Sequence, residues 1–335
     1  MRKILQIKPY KEFYMNCSLN NFSSLLTFAN KSYEVAAFVN SYRYSVYSFS
    51  YNPLKFISVN FDNSYEDLTN KNYIIDENYF FKDMNNIAGE LKELIILGKP
   101  IFLYIDLFNW IPDNIAWQKH HWNHFSLIIG FDDNKKVFYA IDDDAKGSID
   151  IREIPEERLI NSFKGTGYFV EYGGYHTRPD IESPCKIINI SECIEPYKIN
   201  LDQIIANAKI ILEDIEKINQ SGFWEFIDDS NLDVMSDSGI AELNIIYNRH
   251  IGNKLLIMEL YKENIIKSDY YEFLYSSITN IINNWNKAKN ILIKSKYKNT
   301  LSQISVPLIE ICNKNLQDEA CFWNSFLNST IDKIY

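Results

Sequence analysis

Residues 121–143 read H-W-N-H-F-S-L-I-I-G-F-D-D-N-K-K-V-F-Y-A-I-D-D, and the punctuation of this stretch decides the fold. Residues 125–131 are a short, mostly apolar, β-prone run, 132–136 are turn formers, and 137–141 are a second β-prone run. Two such runs around a turn make a β-hairpin. His124 stands where the first strand begins and Asp142 where the second finishes. In an antiparallel pair those ends are neighbours, at about 5 Å from strand to strand. A carboxylate placed there holds an imidazole in one tautomer and stabilises its cation, which is the base half of a nucleophilic triad. Alternation puts every second residue on one face, so the pattern leaves both Asp142 and Asp144 as partners for His124.

The matching nucleophile lies upstream at Cys17. Met15-Asn16-Cys17-Ser18 precedes Phe22, Leu25, Leu26 and Ala29, whose spacing marks one face of a helix. Asn16 or Ser18 caps that helix, so Cys17 falls at its N-terminal end. Unpaired backbone N–H groups and the positive end of the macrodipole favour a thiolate there and stabilise an oxyanion. By itself a free cysteine is more often a small buried hydrophobe. The His and Asp of the hairpin shift the balance, because Cys, then His over a hundred residues later, then Asp is the chain order of papain-like folds.

His120, His121 and His124 are not read as a metal site. Residues three apart on an extended chain point to opposite faces, and no carboxylate lies at ligand spacing within the run. His121 is assigned instead to lining the pocket.

Composition sets the frame. A chain of 335 residues exceeds one ordinary core, so two domains are expected. With 46 % apolar residues it has ample material to bury, and it reads as globular. The net charge of −10 argues against a nucleic-acid partner. No apolar run is long enough to span a membrane, and the N-terminal apolar stretch is too short for a signal peptide, so a soluble cytoplasmic protein is expected. The five cysteines are odd in number and form no C-x-x-C pair, which speaks against a disulfide framework or a zinc site.

The rest of the first domain is expected to hold an extended segment at 3–7, a continued helical layer at 33–40, and strands or aromatic loops over the site at 42–61. A helix at 85–97 ends at Gly98, and a buried strand follows at 102–108. Asp106, late in that strand, is either a supporting or acceptor-binding carboxylate or a plain strand-end hydrogen-bond acceptor. Strands at 149–151 and 168–172 flank a helix at 156–163. Gly173-Gly174 closes the domain, giving 1–178 as the first domain, 179–199 as a linker with Pro179 and Pro184, and 200–335 as an all-helical second domain. Cys185 and Cys193, in or beside that linker, are read as structural. The helices are placed from residue 200, at 238–264, at 269–297 and at 300–333. This domain is expected to cover the site, bind the acceptor or form a homodimer. Its dense basic stretch, Lys287, Lys289, Lys294, Lys296 and Lys298, is either a solvated helix face or a dock for an acidic partner.

Taken in order, Cys17 opening a helix, Gly98-Lys99-Pro100-Ile101 leading into Phe102-Leu103-Tyr104-Ile105-Asp106-Leu107-Phe108, His121-Trp122-Asn123-His124, Gly130-Phe131-Asp132 and Tyr139-Ala140-Ile141-Asp142 resemble one family. It is the butirosin-biosynthesis H-type acyltransferases, a C39-peptidase-like branch of the papain-like cysteine proteins. The resemblance covers roughly residues 10–170. It implies an α+β, papain-like catalytic domain ahead of the helical one. It also implies acyl transfer from a thioester on an acyl carrier protein to an amine, such as a sugar amine or small diamine, in antibiotic or other specialised-metabolite assembly. Cys17, His124 and Asp142 are the implied triad, with Asp144 the alternative third member. Papain-like peptidases usually place a Gln oxyanion donor several residues before the Cys; here the region reads Tyr10-Lys11-Glu12-Phe13-Tyr14. The Cys17 backbone N–H and the Asn16 side chain are the remaining candidates.

The expected chemistry attacks the thioester with the Cys17 thiolate, moves the acyl group onto the enzyme and passes it to an amine deprotonated by His124. Thioester exchange is nearly neutral and amide formation is downhill, so neither ATP nor a metal nor any other cofactor is required. In a simpler variant His124 activates the amine for direct attack. Lys294 and Lys296 are the candidate carrier-docking residues. A peptidase or amidase using the same triad is the competing enzyme, and a catalytically silent ligand-binding protein the competing class. Retention of all three triad residues argues against the latter.

Overall fold

The computed structural model describes residues 1–39, 41–48, 55–61, 73–112, 114, 116–144, 148–166, 185–221 and 232–331. In chain order the strands are β1 (Arg2–Ile4), β2 (Arg43–Ser48), β3 (Lys55–Asn60), β4 (Ile74–Asn78), β5 (Ile101–Asp106), β6 (Asn123–Asp132), β7 (Val137–Asp143), β8 (Ile149–Pro155) and β9 (Cys185–Ile190). The helices are α1 (Cys17–Ala29), α2 (Ile87–Ile96), α3 (Glu156–Gly165), α4 (Leu201–Ser221), α5 (Leu232–Lys262), α6 (Ser268–Tyr297) and α7 (Leu301–Ile331). Two 3-10 helices, Lys31–Val39 and Leu107–Asn109, complete the set among the described residues. The result is a mixed α+β chain.

Two compact units divide it: Met1–Glu34 with Tyr65–Pro196, and Val35–Ser64 with Tyr197–Tyr335. The first is built on a seven-stranded sheet in the order β4-β9-β5-β6-β7-β8, with β1 on β6. Every pairing in it is antiparallel. The ten residues of β6 carry the architecture. Its first part pairs with β5, from Asp106↔Asn123 to Ile101↔Ile128, and its last part with β1, from Ile4↔Gly130 to Arg2↔Asp132. Gly130 is required there, because a Cβ would meet the Lys3 carbonyl oxygen at 2.6 Å. Asp132 closes the hairpin by accepting from the Asn134 backbone N–H at 2.9 Å. One apolar core contains Leu91 and Ile95 of α2, Leu103 and Ile105 of β5, Ile128 of β6, Phe138 of β7, Leu159 and Phe163 of α3, and Trp110. The α2 helix ends as its sequence requires. Gly98 adopts φ 80°, its N–H bonds to Ile95 O at 3.0 Å, and the Lys99 N–H bonds to Leu94 O at 3.1 Å.

The second unit combines helices α4–α7 with the β2–β3 hairpin. Tyr42 and Tyr44 donate their hydroxyls to the buried Glu319 carboxylate at 2.9 and 2.6 Å. Arg43 forms a two-pronged ion pair with Asp214, both bonds 2.7 Å. Arg249, itself buried, donates to the Phe38 carbonyl at 2.7 Å. Sequence segment 35–64 is therefore bound into the helical unit.

Three expectations need correction. Residues 42–61 do not belong to the first unit, and the unit that holds α4–α7 is not all-helical, since it includes β2 and β3. The span 179–199 is not simply a linker: Cys185–Ile190 is a strand hydrogen-bonded to both β4 and β5, and Cys185 is buried in the core. The expected strand at 168–172, Gly173-Gly174, Pro179 and Pro184 lie outside the described residues. No helix among the described residues is long and apolar enough to cross a membrane.

Candidate active site

Cys17 is the first residue of α1, and a set of side-chain hydrogen bonds fixes it there. Asn16 caps the helix, accepting from the Leu19 N–H at 2.8 Å. Asn20, fully buried, accepts from the Met15 N–H at 2.7 Å and donates to the Phe13 carbonyl at 2.8 Å. Ser24 accepts from the Tyr10 N–H at 2.8 Å. The segment entering α1 is thus bonded at several points to the first turns of the helix it feeds.

His124 and Asp142 meet at the mouth of the β6–β7 hairpin. His124 Nε2 donates to Asp142 Oδ1 at 2.7 Å, and both side chains are almost wholly buried. Cys17 and His124 act on each other electrostatically, each shifting the other's titration. With Nε2 committed to Asp142, the nitrogen left for sulfur is Nδ1. The Phe125 backbone N–H lowers the thiol further. Thiol, imidazole and carboxylate therefore form one electrostatically linked row, with a hydrogen bond between imidazole and carboxylate.

Electrostatics within the row follow from these contacts. Burial alone would push the Cys17 thiol up, but the adjacent His124 cation outweighs it and holds the thiol below its ordinary value. Burial would likewise lower His124, yet the Asp142 carboxylate and Cys17 hold it well above its usual range. Burial disfavours the Asp142 anion, and His124 with its other donors more than compensates, leaving it lowered. All three shifts run in the direction of a thiolate beside an imidazolium and a carboxylate. Alkylation of Cys17 by iodoacetamide, followed peptide by peptide to separate it from the exposed Cys193 and Cys321, is expected to stay fast below the ordinary thiol value of about 8.5. His124→Ala removes the main influence opposing burial and moves the rise to higher pH. A wild-type profile that rises only through the ordinary thiol range would contradict the pairing.

Trp110 is the residue with no sequence signal. Its buried indole N–H donates to Asp142 Oδ2, while the Asp143 N–H donates to Oδ1 at 2.8 Å. No spacing rule links Asn109-Trp110-Ile111 to a carboxylate thirty-two positions on; only the general need of a buried indole N–H for an acceptor hints at it. Asp143 and Tyr14 were equally unmarked. Asp143 Oδ1 lies 3.6 Å from His124 Nε2. Burial, and then Asp142, push its carboxyl up to about 7 against the lowering influence of His124. Burial, and then the nearby Asp143, Cys17 and Asp142, hold the Tyr14 phenol well above its usual value.

The weaker candidates separate. Asp144 is not His124's partner: it accepts from the Ser148 N–H at 2.9 Å and pairs with Arg152 at 3.4 Å. Asp106 is fully buried, accepts from the Phe108 and Trp122 N–H groups at 3.0 and 3.2 Å, and pairs with His121 Nδ1 at 2.6 Å. It acts as the strand-end acceptor. His121 stacks on Phe108, ring centroids 4.5 Å apart. Asn16 is engaged through its oxygen as the helix cap. In the second unit Lys294 and Lys296 occupy the last turn of α6, where cations complement the helix C-terminus. Lys289 is packed inward, donating to Asn244 at 3.0 Å and lying over the Tyr247 ring.

Ligand atoms of His124, Asp142 and Asp143 lie within 4.8 Å of one another, a grouping that a cation can use. A 2.7 Å hydrogen bond already joins His124 to Asp142, and the Trp110 indole fills the other Asp142 oxygen, so the set is built for sharing protons. No protein-family model matches the chain, and no curated protein sequence matches it.

Proposed function

We propose that the chain is a cysteine-dependent acyltransferase that moves an acyl group from a carrier-protein thioester through Cys17 to a small amine, forming an amide. The observation that carries this reading is the row of half-buried Cys17 with buried His124 and Asp142, with a lowered thiol and a raised imidazole. The resemblance of residues 10–170 to the butirosin-biosynthesis H-type acyltransferases supplies the donor and acceptor class, and a papain-like arrangement for the first unit. The thiolate attacks the thioester carbonyl, the His124 imidazolium protonates the leaving thiol, and the acyl group rests on Cys17. On this reading the Cys17 backbone N–H, at the start of α1, stabilises the oxyanion. An amine then attacks, His124 takes a proton, and the thiolate is restored. Antibiotic or other specialised-metabolite assembly, in the cytoplasm, is the setting this reading implies.

The same row serves a peptidase or amidase in which water replaces the amine. Product analysis separates the two. Incubation with a small acyl thioester and 1,3-diaminopropane is expected to yield amide, and acid alone would favour the hydrolase. The carrier adds a second arm. Lys294→Glu with Lys296→Glu is expected to weaken transfer from a carrier-bound donor and not from the small thioester; equal loss with both donors would remove these lysines from the docking surface.

A further inference from the structure

We propose that Asn21 selects the acyl donor: its buried carboxamide oxygen accepts a hydrogen bond from a hydroxyl or amino group on the second or third carbon of the acyl chain. The donor this assigns is a hydroxyacyl or aminoacyl thioester, as against a plain alkanoyl one. The assignment rests on the acyltransferase reading and sharpens it.

Helix geometry places Asn21 beside the nucleophile. Cys17 and Asn21 lie four residues apart in α1, and residues at that spacing are neighbours on one face, about 5–6 Å from Cβ to Cβ. Side chains in a helix lean toward its N-terminus, so each covers the turn before its own. The turn before Asn21 is the one that opens with Cys17. Asn20 and Ser24 share this polar side of the helix, and both are committed to the chain around them. Asn20 accepts from the Met15 N–H at 2.7 Å and donates to the Phe13 carbonyl at 2.8 Å. Ser24 accepts from the Tyr10 N–H and donates to the Asn20 carbonyl, each at 2.8 Å.

Asn21 is different. It is as buried as these two, at 1 % exposed, yet its Oδ1, closed to solvent, has no hydrogen-bond partner. Leaving a buried acceptor open is costly, and a site that keeps one calls for an N–H or O–H that arrives to fill it. The half-buried Cys17 is where the acyl group becomes attached, one turn away. Helix N–H groups point out of the N-terminus, so an oxyanion held by the Cys17 N–H lies beyond the start of α1. Asn21, a turn further into the helix, meets the acyl chain instead. A plain alkanoyl chain carries no donor and leaves the oxygen open.

The test sets N-acetylcysteamine thioesters of matched shape in competition for the full chain: lactoyl against isobutanoyl, and 3-hydroxybutanoyl against 3-methylbutanoyl. The readout is the ratio of the two adducts by mass on the Cys17 peptide, which does not depend on how reactive the thiolate is. In the wild type a hydroxyacyl member is expected to win by about tenfold in at least one pair. Asn21→Leu keeps the bulk and removes the acceptor, so it is expected to acylate without that preference. Where Asn21→Leu does not fold, Asn21→Ala decides on the same criterion. A structural amide would show instead as a fall in melting temperature with the ratio unchanged. No preference in the wild type with either pair, or a preference that survives in the variant, overturns the inference and leaves the acyltransferase reading intact. A wild-type chain that never acylates on Cys17 overturns both.

Discussion

Asp142→Asn is expected to lower turnover by about 10³ to 10⁴-fold while leaving Cys17 in place. Three donors converge on this carboxylate: His124 Nε2 and the Asp143 N–H on Oδ1, and the Trp110 indole N–H on Oδ2. An Asn offers a single acceptor oxygen. If that oxygen faces His124, the new amide N–H₂ points at the Trp110 N–H, donor against donor. The flipped rotamer turns those donors toward His124 instead. Either way a buried donor goes unpaired, which costs about 1–3 kcal/mol. The charge that raises His124 also disappears, so the imidazolium and its thiolate are no longer favoured. Asn plus Trp110→Phe removes the clash but not the loss of charge, so it is expected to regain stability and not turnover. Wild-type rates in Asp142→Asn would contradict the role given to this carboxylate.

The second large effect concerns chain connectivity. A chain ending after Pro196 keeps the whole seven-stranded sheet, yet it is expected to aggregate. Segment 35–64 would lose its own unit. Ile57, Val59, Tyr42 and Tyr44 are buried there, and the two tyrosines bond to Glu319, which the truncation removes. Exposing such side chains costs about 1.5–3 kcal/mol each, a sum comparable with the total stability of an ordinary domain. A lone two-stranded hairpin does not hold itself together in water. Expression of residues 1–196 with size-exclusion chromatography and thermal melting checks this. A soluble, cooperatively melting monomer would contradict it.

Those two results mark where sequence reading succeeds and where it stops. The β6–β7 hairpin and the α1 helix are legible because periodicity and turn chemistry are strong there, and His124, Asp142 and Cys17 follow from their places at the ends of those elements. The long helices from residue 200 are legible for the same reason. β4 is not, because Ile74–Asn78 runs into charged residues and sits at the sheet edge with most of its side chains exposed. β9 is missed because Pro179 and Pro184 make the region read as a linker, although Ile187, Ile188 and Ile190 suit a strand. The allegiance of segment 35–64 is set by tertiary partners such as Asp214 and Glu319, far along the chain, and no local pattern encodes it. Trp110, Asn20 and Asp143 act through contacts at no characteristic spacing, so only coordinates reveal them.

The central claim is that Cys17 carries the acyl group. Intact-protein mass after mixing the full chain with simple acyl thioesters, beside a Cys17→Ala control, tests it most directly. The account predicts a single acyl adduct on the wild type that vanishes when an amine is added and never forms on the control. No adduct and no thiol release with either small or carrier-bound donors, or an adduct that persists in Cys17→Ala, would contradict it.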